Sequence, residues 1–220
     1  MVFKKVFFIK VLFFLFFYSY GIFSVELKNS HKQDWLQDLK SQAGSLRAGF
    51  FVDYSYMLEH APSIPATATA HWWGFSGILD YAIQDGLWIS GRLGYKRLIT
   101  LYIEQYEQDV STYVIPFDMT LFWEFDSLMF RDGRLLPGAG VGIYFYGSRT
   151  INSQQEPNSS FHSVYVNVTL RFLRRIADNW LMSVDFVPAW NLTPGQQKKY
   201  WITDLFSFLF QFYAGVFYEL

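Results

Sequence analysis

The sequence predicts an all-β protein: an eight-stranded, antiparallel, up-and-down transmembrane β-barrel. Three observations predict it. From Leu46 to the C-terminus, apolar side chains recur at every second position, in eight runs separated by loop-forming segments. Aromatic residues make up 21% of the chain and charged residues only 17%, yet mean hydropathy is just +0.10. A wall whose alternate residues face a polar interior dilutes its hydrophobicity in this way. Finally, Trp180 and Trp190 lie ten residues apart on one face of their run, as do Tyr113 and Trp123. Ten residues at a rise of ~3.3 Å give roughly 33 Å of strand. A tilt of about 40° turns that into roughly 25 Å of height, the apolar band between two aromatic girdles.

Residues 1–24 read as a signal peptide. Lys4 and Lys5 precede an apolar run from Val6 to Phe23 that only Lys10 interrupts, and small residues follow at the cleavage position. Residues 25–44 are polar, with a short stripe of Trp35, Leu36 and Leu39. They are expected to form a periplasmic linker or short helix. The barrel is expected to occupy residues 45–220.

The first run sends Leu46, Ala48, Phe50, Val52, Tyr54, Tyr56 and Leu58 outward, with Arg47, Gly49, Asp53 and Ser55 inward. Glu59 to Ala70 carries two prolines and reads as a loop. The second run sends Trp73, Phe75, Gly77, Leu79, Tyr81 and Ile83 outward and Gly74, Ser76 and Asp80 inward. Gln84-Asp85-Gly86 is a hairpin turn. The third sends Leu87, Ile89, Leu93 and Tyr95 outward and Ser90, Arg92, Gly94 and Lys96 inward, and a loop runs from Arg97 to Ser111.

The fourth run places Tyr113, Ile115, Phe117, Met119, Leu121 and Trp123 outward and Thr112, Asp118, Thr120 and Glu124 inward. Asp126 to Arg134 connects it to the fifth, where Pro137, Ala139, Val141, Ile143 and Phe145 alternate with Gly138, Gly140, Gly142, Tyr144 and Tyr146. Gly147 to Phe161 is a long polar loop. The sixth run has Val164 to Phe172 outward at even positions, with Ser163, Asn167, Thr169 and Arg171 inward. Ala177-Asp178-Asn179 turns into the seventh, with Trp180, Met182, Val184, Phe186 and Trp190 outward and Ser183 and Asp185 inward. After a loop from Asn191 to Thr203, the eighth run fills Asp204 to Leu220. Its even positions from Phe206 to Leu220 are wholly apolar, and Ser207, Gln211, Tyr213, Gly215 and Glu219 share the mixed face. Short turns and long loops alternate, so both termini are expected on the periplasmic side of an outer membrane.

Two other architectures fail. A soluble barrel is apolar inside and polar outside, whereas here the wholly apolar faces are too aromatic and the mixed faces carry the charges. A helical membrane protein needs spans of about 18 apolar residues. After the N-terminal run the nearest stretch, Leu205 to Tyr218, is shorter and alternates.

At Ile115-Pro116-Phe117 through Phe125, and at Arg134-Leu135-Leu136-Pro137-Gly138-Ala139-Gly140-Val141-Gly142-Ile143-Tyr144, the chain resembles the central hairpin of OmpA/OmpW-type eight-stranded outer-membrane barrels. Gly215-x-x-Tyr218-x-Leu220 resembles the C-terminal signal such barrels present to the barrel assembly machinery. The resemblance implies outer-membrane lipid and lipopolysaccharide as surroundings. It implies no cofactor, and the fold hosts several functions.

Function must therefore be sought in the inward residues and the loops. The inward charges Arg47, Asp53, Asp80, Arg92, Asp118, Glu124, Arg171, Asp185 and Glu219 are expected to form a lumen network. Charges enclosed in so narrow a barrel must pair or lose solvation. Arg92, Asp53, Asp118 and Asp185 are expected near mid-height, with the others nearer the periplasm. Such a network is either a static plug or a gate that opens when Arg92 changes partner. A second inward set, Gly49, Gly74, Gly94, Gly138, Gly140, Gly142 and Gly215, leaves room beside the wall. Phe51, Trp72, Trp88, Tyr144, Tyr146, Tyr165 and Tyr213 are candidates to fill it. If they do not, the space becomes a small apolar cavity of the OmpW type.

No catalytic set is legible. His60, His71 and His162 fall at the outer rim with Ser111 and Ser163 nearby, but His162 and Ser163 are adjacent and so face opposite sides of their strand. A rim enzyme acting on lipid A, and a three-histidine metal site, remain the minor alternatives. No phosphate loop or Cys/His ligand spacing is present. A net charge of −1 gives no basis for nucleic-acid binding. The expectation is a non-enzymatic barrel with a structural or surface-interaction role, and the long loops are the place for an extracellular ligand. The first alternative is a narrow pore or hydrophobic channel.

Overall fold

The computed structural model describes residues 43–60, 67–103, 110–125, 128–130, 133–147, 150–151, 154–155, 161–192 and 208–220. The segment read as a signal peptide, and all of the following linker except Ala43 and Gly44, lie outside them. Eight long strands form the wall: β1 (Leu46–His60), β2 (Thr67–Gln84), β3 (Leu87–Ile103), β4 (Tyr113–Trp123), β5 (Gly133–Tyr146), β6 (Phe161–Ala177), β7 (Trp180–Asn191) and β8 (Phe208–Glu219). Each pairs antiparallel with its neighbour in sequence. The pairing of β1 with β8, from Arg47↔Glu219 to Leu58↔Phe208, closes the sheet on itself. No edge of the wall is left open, which is what lets a sheet stand in lipid.

The period-two pattern sets the wall's orientation, and β4 shows it most simply. Its residues alternate without a break between exposed odd positions and buried even ones. Phe50, Phe75, Leu79, Leu93, Val141 and Val168 stand exposed outside, whereas Arg47, Asp53, Asp80, Arg92, Asp118 and Asp185 are buried inside. This inverts the arrangement of a soluble domain and is the arrangement of a lipid-facing wall. Aromatic pairs mark both edges of the apolar belt. Trp180 meets Tyr218 with ring centroids 5.1 Å apart at one edge; at the other, Trp190 meets Phe208 at 5.2 Å and Tyr54 meets Trp73 at 5.3 Å.

The start of β1 and the end of β8 lie at the same end of the barrel, because the Leu220 amide donates to the Leu46 carbonyl at 2.9 Å. The short turns are here too. Asp85-Gly86 joins β2 to β3, with Gly86 at φ 76°, a left-handed conformation that glycine adopts without strain. The long loops are at the far end. There the strands run further than the sequence pattern alone predicts. β1 continues to His60 and β2 begins at Thr67, so the loop between them narrows to residues 61–66, and β3 continues to Ile103. Thr67-Ala-Thr-Ala and Thr100 to Ile103 keep pairing (Ala68↔Ile103, Thr69↔Tyr102). Beyond the belt, residues of good strand propensity need no apolar face to stay extended. Between β3 and β4, and between β5 and β6, Val110–Ser111, Thr150–Ile151 and Gln154–Gln155 form a small three-stranded sheet that ties two loops together. The eighth run's first residues, Asp204 to Ser207, lie outside the described residues.

Candidate functional site in the lumen

The inward face of each strand contributes one column of side chains, and the columns meet on the barrel axis. Nearest the start of β1 and the end of β8 is a layer of ion pairs, some open in part to solvent and some buried. Arg47 Nε donates to Glu219 Oε1 at 2.9 Å, and Arg175 Nη2 donates to the other oxygen, Oε2, at 2.8 Å. Beside them Arg134 Nη1 reaches Glu124 Oε1 at 2.5 Å, and the Trp88 indole donates to the same oxygen at 3.1 Å. The Arg47 guanidinium lies 3.7 Å from the Trp88 ring, a cation–π contact that lets an arginine sit against an apolar surface.

Above this layer lies a knot built on Arg171, which is 1% exposed. Its Nε and Nη2 donate to Asp185 at 2.9–3.1 Å, and its Nη1 donates to Asp80 Oδ2 at 2.7 Å. Arg92 Nη2 donates to the same Asp185 at 2.6 Å, and the Ser183 hydroxyl donates to Asp185 Oδ1 at 2.7 Å. The two guanidiniums also cover aromatic faces, Arg92 over Tyr213 at 3.6 Å and Arg171 over Phe122 at 4.1 Å. An isolated carboxylate at this depth would be costly. Asp185 offsets that cost by accepting from two arginines and a serine at once.

The next layer belongs to Lys96. Its ammonium donates to Ser55 Oγ at 2.8 Å, Gln211 Oε1 at 2.7 Å and Tyr213 OH at 3.0 Å, so all three of its protons face neutral oxygens. Gln211 passes the chain on, its amide donating to Tyr144 OH at 2.7 Å. Asp53 and Asp118 flank Lys96 and Arg92. Toward the far end the lumen turns apolar and aromatic, with Trp72, Leu98, Val114, Tyr144, Tyr146 and Tyr165 packed together. Tyr144 and Tyr165 stack at 4.6 Å, and the hydroxyls of Tyr146 and Tyr165 are 2.9 Å apart.

The inward glycines explain how so many large groups fit. The rings of Phe51 and Phe217 lie over Gly49, that of Phe51 over Gly215, and that of Phe122 over Gly138, each at distances a Cβ would violate. Asp118 lies over Gly142, and Asp53 over Gly74. At Gly140 a Cβ would fall on the Met119 carbonyl oxygen and within 2.8 Å of the Thr120 Cα, neither of which can move without bending the wall. Gly140→Ala is therefore expected to cost about 1–3 kcal/mol, read as a shift in the urea unfolding midpoint of the barrel in lipid vesicles. Gly77→Ala is the control: that glycine faces outward with nothing within 4 Å, and a midpoint shift there equal to that of Gly140→Ala would sink the packing account.

The nine charges singled out in the sequence lie on the inward face, and their hydrogen bonds run both within the group expected near mid-height and across its boundary. Arg92 hydrogen-bonds to Asp185, whereas Asp118 is only its cross-strand neighbour. Arg171 bonds both to Asp185 and to Asp80, so it joins two groups that were expected at different heights. Three cations absent from that set join it: Lys96 and Arg134, both buried, and Arg175, a quarter exposed. With them Arg47, Arg92, Lys96, Arg134, Arg171 and Arg175 face Asp53, Asp80, Asp118, Glu124, Asp185 and Glu219, six against six. Their signal was present: Lys96 shares the parity of Arg92, and Arg175 that of Arg171. At the rim, His162 is exposed and Ser163 fully buried, on opposite faces of β6. His71 faces outward and its Nδ1 is 2.5 Å from the Tyr54 hydroxyl. The side chain of His60 lies outside the described residues.

The fold is similar to that of solved outer-membrane proteins. OprG from Pseudomonas aeruginosa aligns with a TM-score of 0.52 at 12% identity, over 81% of this chain and 97% of that one. AlkL, solved in lipid bilayers, aligns at 0.49 and 16% identity over 81% of this chain and 91% of that one. Ail of Yersinia pestis aligns at 0.48 and 10% identity over 81% of this chain and the whole of that one. The OprG alignment carries the fold: this chain is a closed eight-stranded antiparallel barrel of the outer-membrane type. No protein-family model and no curated protein matches the sequence.

Proposed function

We propose that this chain is a non-enzymatic barrel of the outer membrane that acts through its surface loops, with its lumen closed and both termini in the periplasm. The observation that carries the reading is the filled lumen. Arg171, Asp185, Phe51, Phe217, Tyr144 and Tyr165 are all 1% exposed or less. An open water path would have to separate hydrogen-bonded ion pairs that lack solvent to replace them. The space beside the inward glycines is taken by aromatic rings and carboxylates, which leaves an apolar small molecule no room there. Outside, the apolar belt suits outer-membrane lipid, with lipopolysaccharide at the far end. The loops there, two of them joined by the small sheet, are the surface on which an extracellular ligand would be held.

Recording from planar bilayers tests the closed lumen. Purified, refolded protein is expected to give no single-channel steps, and Arg92→Ala to give none either. Steps in the wild-type protein whose size changes with Arg92→Ala or Asp118→Ala would replace this reading with a narrow pore. Expression in a clean host is expected to leave the mass pattern of lipid A unchanged; an altered pattern would make the protein an enzyme.

A further inference from the structure

The lumen contains a group of polar atoms that the ion-pair network does not satisfy. Asp53 and Asp118 are 1% and 3% exposed, and none of their four carboxylate oxygens has a hydrogen-bond partner. The hydroxyl of Ser76, also 1% exposed, has none, and nor does Arg92 Nε. These atoms belong together. Asp53 faces Ser76, Lys96 and Arg92; Asp118 faces Arg92, Lys96 and Tyr144. The two nearest cations spend most of their reach elsewhere: Lys96 gives its protons to Ser55, Gln211 and Tyr213, and Arg92 Nη2 is bound to Asp185. The Ser76 and Tyr144 hydroxyls beside Asp53 and Asp118 offer two protons for four carboxylate oxygens. Orphaned buried carboxylates at two adjacent places are far outside what folded proteins tolerate without a further donor.

Apolar side chains bracket this group on three consecutive strands. On β2, Ser76 lies between Trp72 and Ile78; on β3, Arg92 and Lys96 lie between Trp88 and Leu98; on β4, Asp118 lies between Val114 and Phe122. Trp72, Leu98 and Val114 belong to the apolar cluster toward the loops, and Ile78, Trp88 and Phe122 to the one toward the termini.

We propose that the middle of the lumen is a binding site for internal water, sealed from both ends, in which bound molecules donate to Asp53 and Asp118 and link them to Ser76, Lys96 and Arg92. Water is the ligand this chemistry selects. It supplies two donors to acceptor-only carboxylates and still accepts from an arginine N–H or a serine hydroxyl, and a buried water commonly makes about three such bonds. An anion would be repelled by two carboxylates, and a metal cation by Lys96 and Arg92 at the same point. Water thereby links Asp53 and Asp118 to two cations that they do not touch directly.

The inference rests on the closed lumen proposed above, and the two can fail separately. The probe is water itself, observed by NMR on isotope-labelled barrel in deuterated detergent micelles. Magnetisation transfer from slow-tumbling water to the Ser76 hydroxyl, the Lys96 ammonium and the Gly142 amide beneath Asp118 is expected in the wild-type protein. Asp53→Val, which removes both acceptors at similar volume, should abolish the transfer at Ser76. If that variant does not fold, Asp53→Asn should at least weaken it, and an undiminished signal would count against the site. Absence of slow-tumbling water at all three groups in the wild-type barrel, with no conductance in bilayers, overturns this inference alone. Water exchanging as fast as bulk, together with single-channel steps, overturns it along with the closed lumen.

Discussion

Arg171→Ala is expected to destabilise the barrel by about 3–5 kcal/mol, the loss typical when one partner of a buried ion pair is removed and the other stays. Three of its nitrogens hold Asp185 and Asp80, both almost fully buried. After the change Asp185 keeps Arg92 and Ser183, but Asp80 loses the one hydrogen bond given to its Oδ2. The rings of Phe122 and Phe217, which the guanidinium covers at 4.1 and 5.0 Å, are left facing two carboxylates. Arg171→Lys is expected to recover only part of the loss, because an ammonium cannot span two acids with a planar fork. Arg175→Ala is the contrast. It too removes an arginine from a carboxylate, but its side chain and that of Glu219 are 25% and 24% exposed, and a pair open to water is worth under about 1 kcal/mol. Urea unfolding in lipid vesicles, followed by tryptophan fluorescence, measures all three. Equal losses for Arg171→Ala and Arg175→Ala would mean that water reaches the knot freely and that burial is not what makes it matter.

That contrast also marks what could be read in advance. The alternation of Phe50, Val52 and Tyr54 with Phe51, Asp53 and Ser55 tells which way each side chain points, because a strand has only two faces. The same logic identifies all eight runs and the closure of the first on the last. Partner choice is another matter. Strands in a barrel are tilted and staggered, so two inward residues meet only if sequence position, tilt and stagger agree. Arg92 and Asp118 lie on neighbouring strands and are paired in register, yet Arg92 bonds to Asp185, far off in sequence and reached across the lumen. Nothing local encodes that contact. The inward direction of Lys96 is legible in the sequence, but its partners are not, for a different reason. Its three hydrogen bonds go to Ser55, Gln211 and Tyr213, and a search for opposite charges passes over neutral oxygens. The ends of β1, β2 and β3 were misplaced because hydrophobic alternation fades where the wall leaves the apolar belt, although backbone pairing continues.

Deleting Tyr218 to Leu220 is expected to have the larger effect, an all-or-none loss of the inserted barrel. These three residues close the wall twice. Tyr218 is paired with Ala48 on one side and Trp180 on the other, with its ring 5.1 Å from that of Trp180. Glu219 is paired with Arg47 and binds both Arg47 and Arg175. The Leu220 amide makes the last ladder bond, to Leu46. Without them β1 and β7 keep unpaired backbone at the edge of the belt, where each unmet group is costly, and Arg47 stays buried without the carboxylate its Nε is bonded to. We further propose that Gly215, Tyr218 and Leu220 form the signal read by the assembly machinery, and two measurements separate the roles. In cells, the truncated protein is expected to lose heat-modifiable mobility and to leave the membrane fraction. In vitro, refolding into vesicles dispenses with the machinery, and there the truncation reports closure alone. A truncated chain that folds in vesicles yet fails in cells would assign the residues to the signal, and failure in both would assign them first to closure. Leu220→Phe is expected to be tolerated in both settings, since Leu220 is 71% exposed and only its backbone amide is used. Normal heat-modifiable mobility of the truncated protein in cells would refute both roles, because it requires β1 and β7 to be held together without the residues that join them.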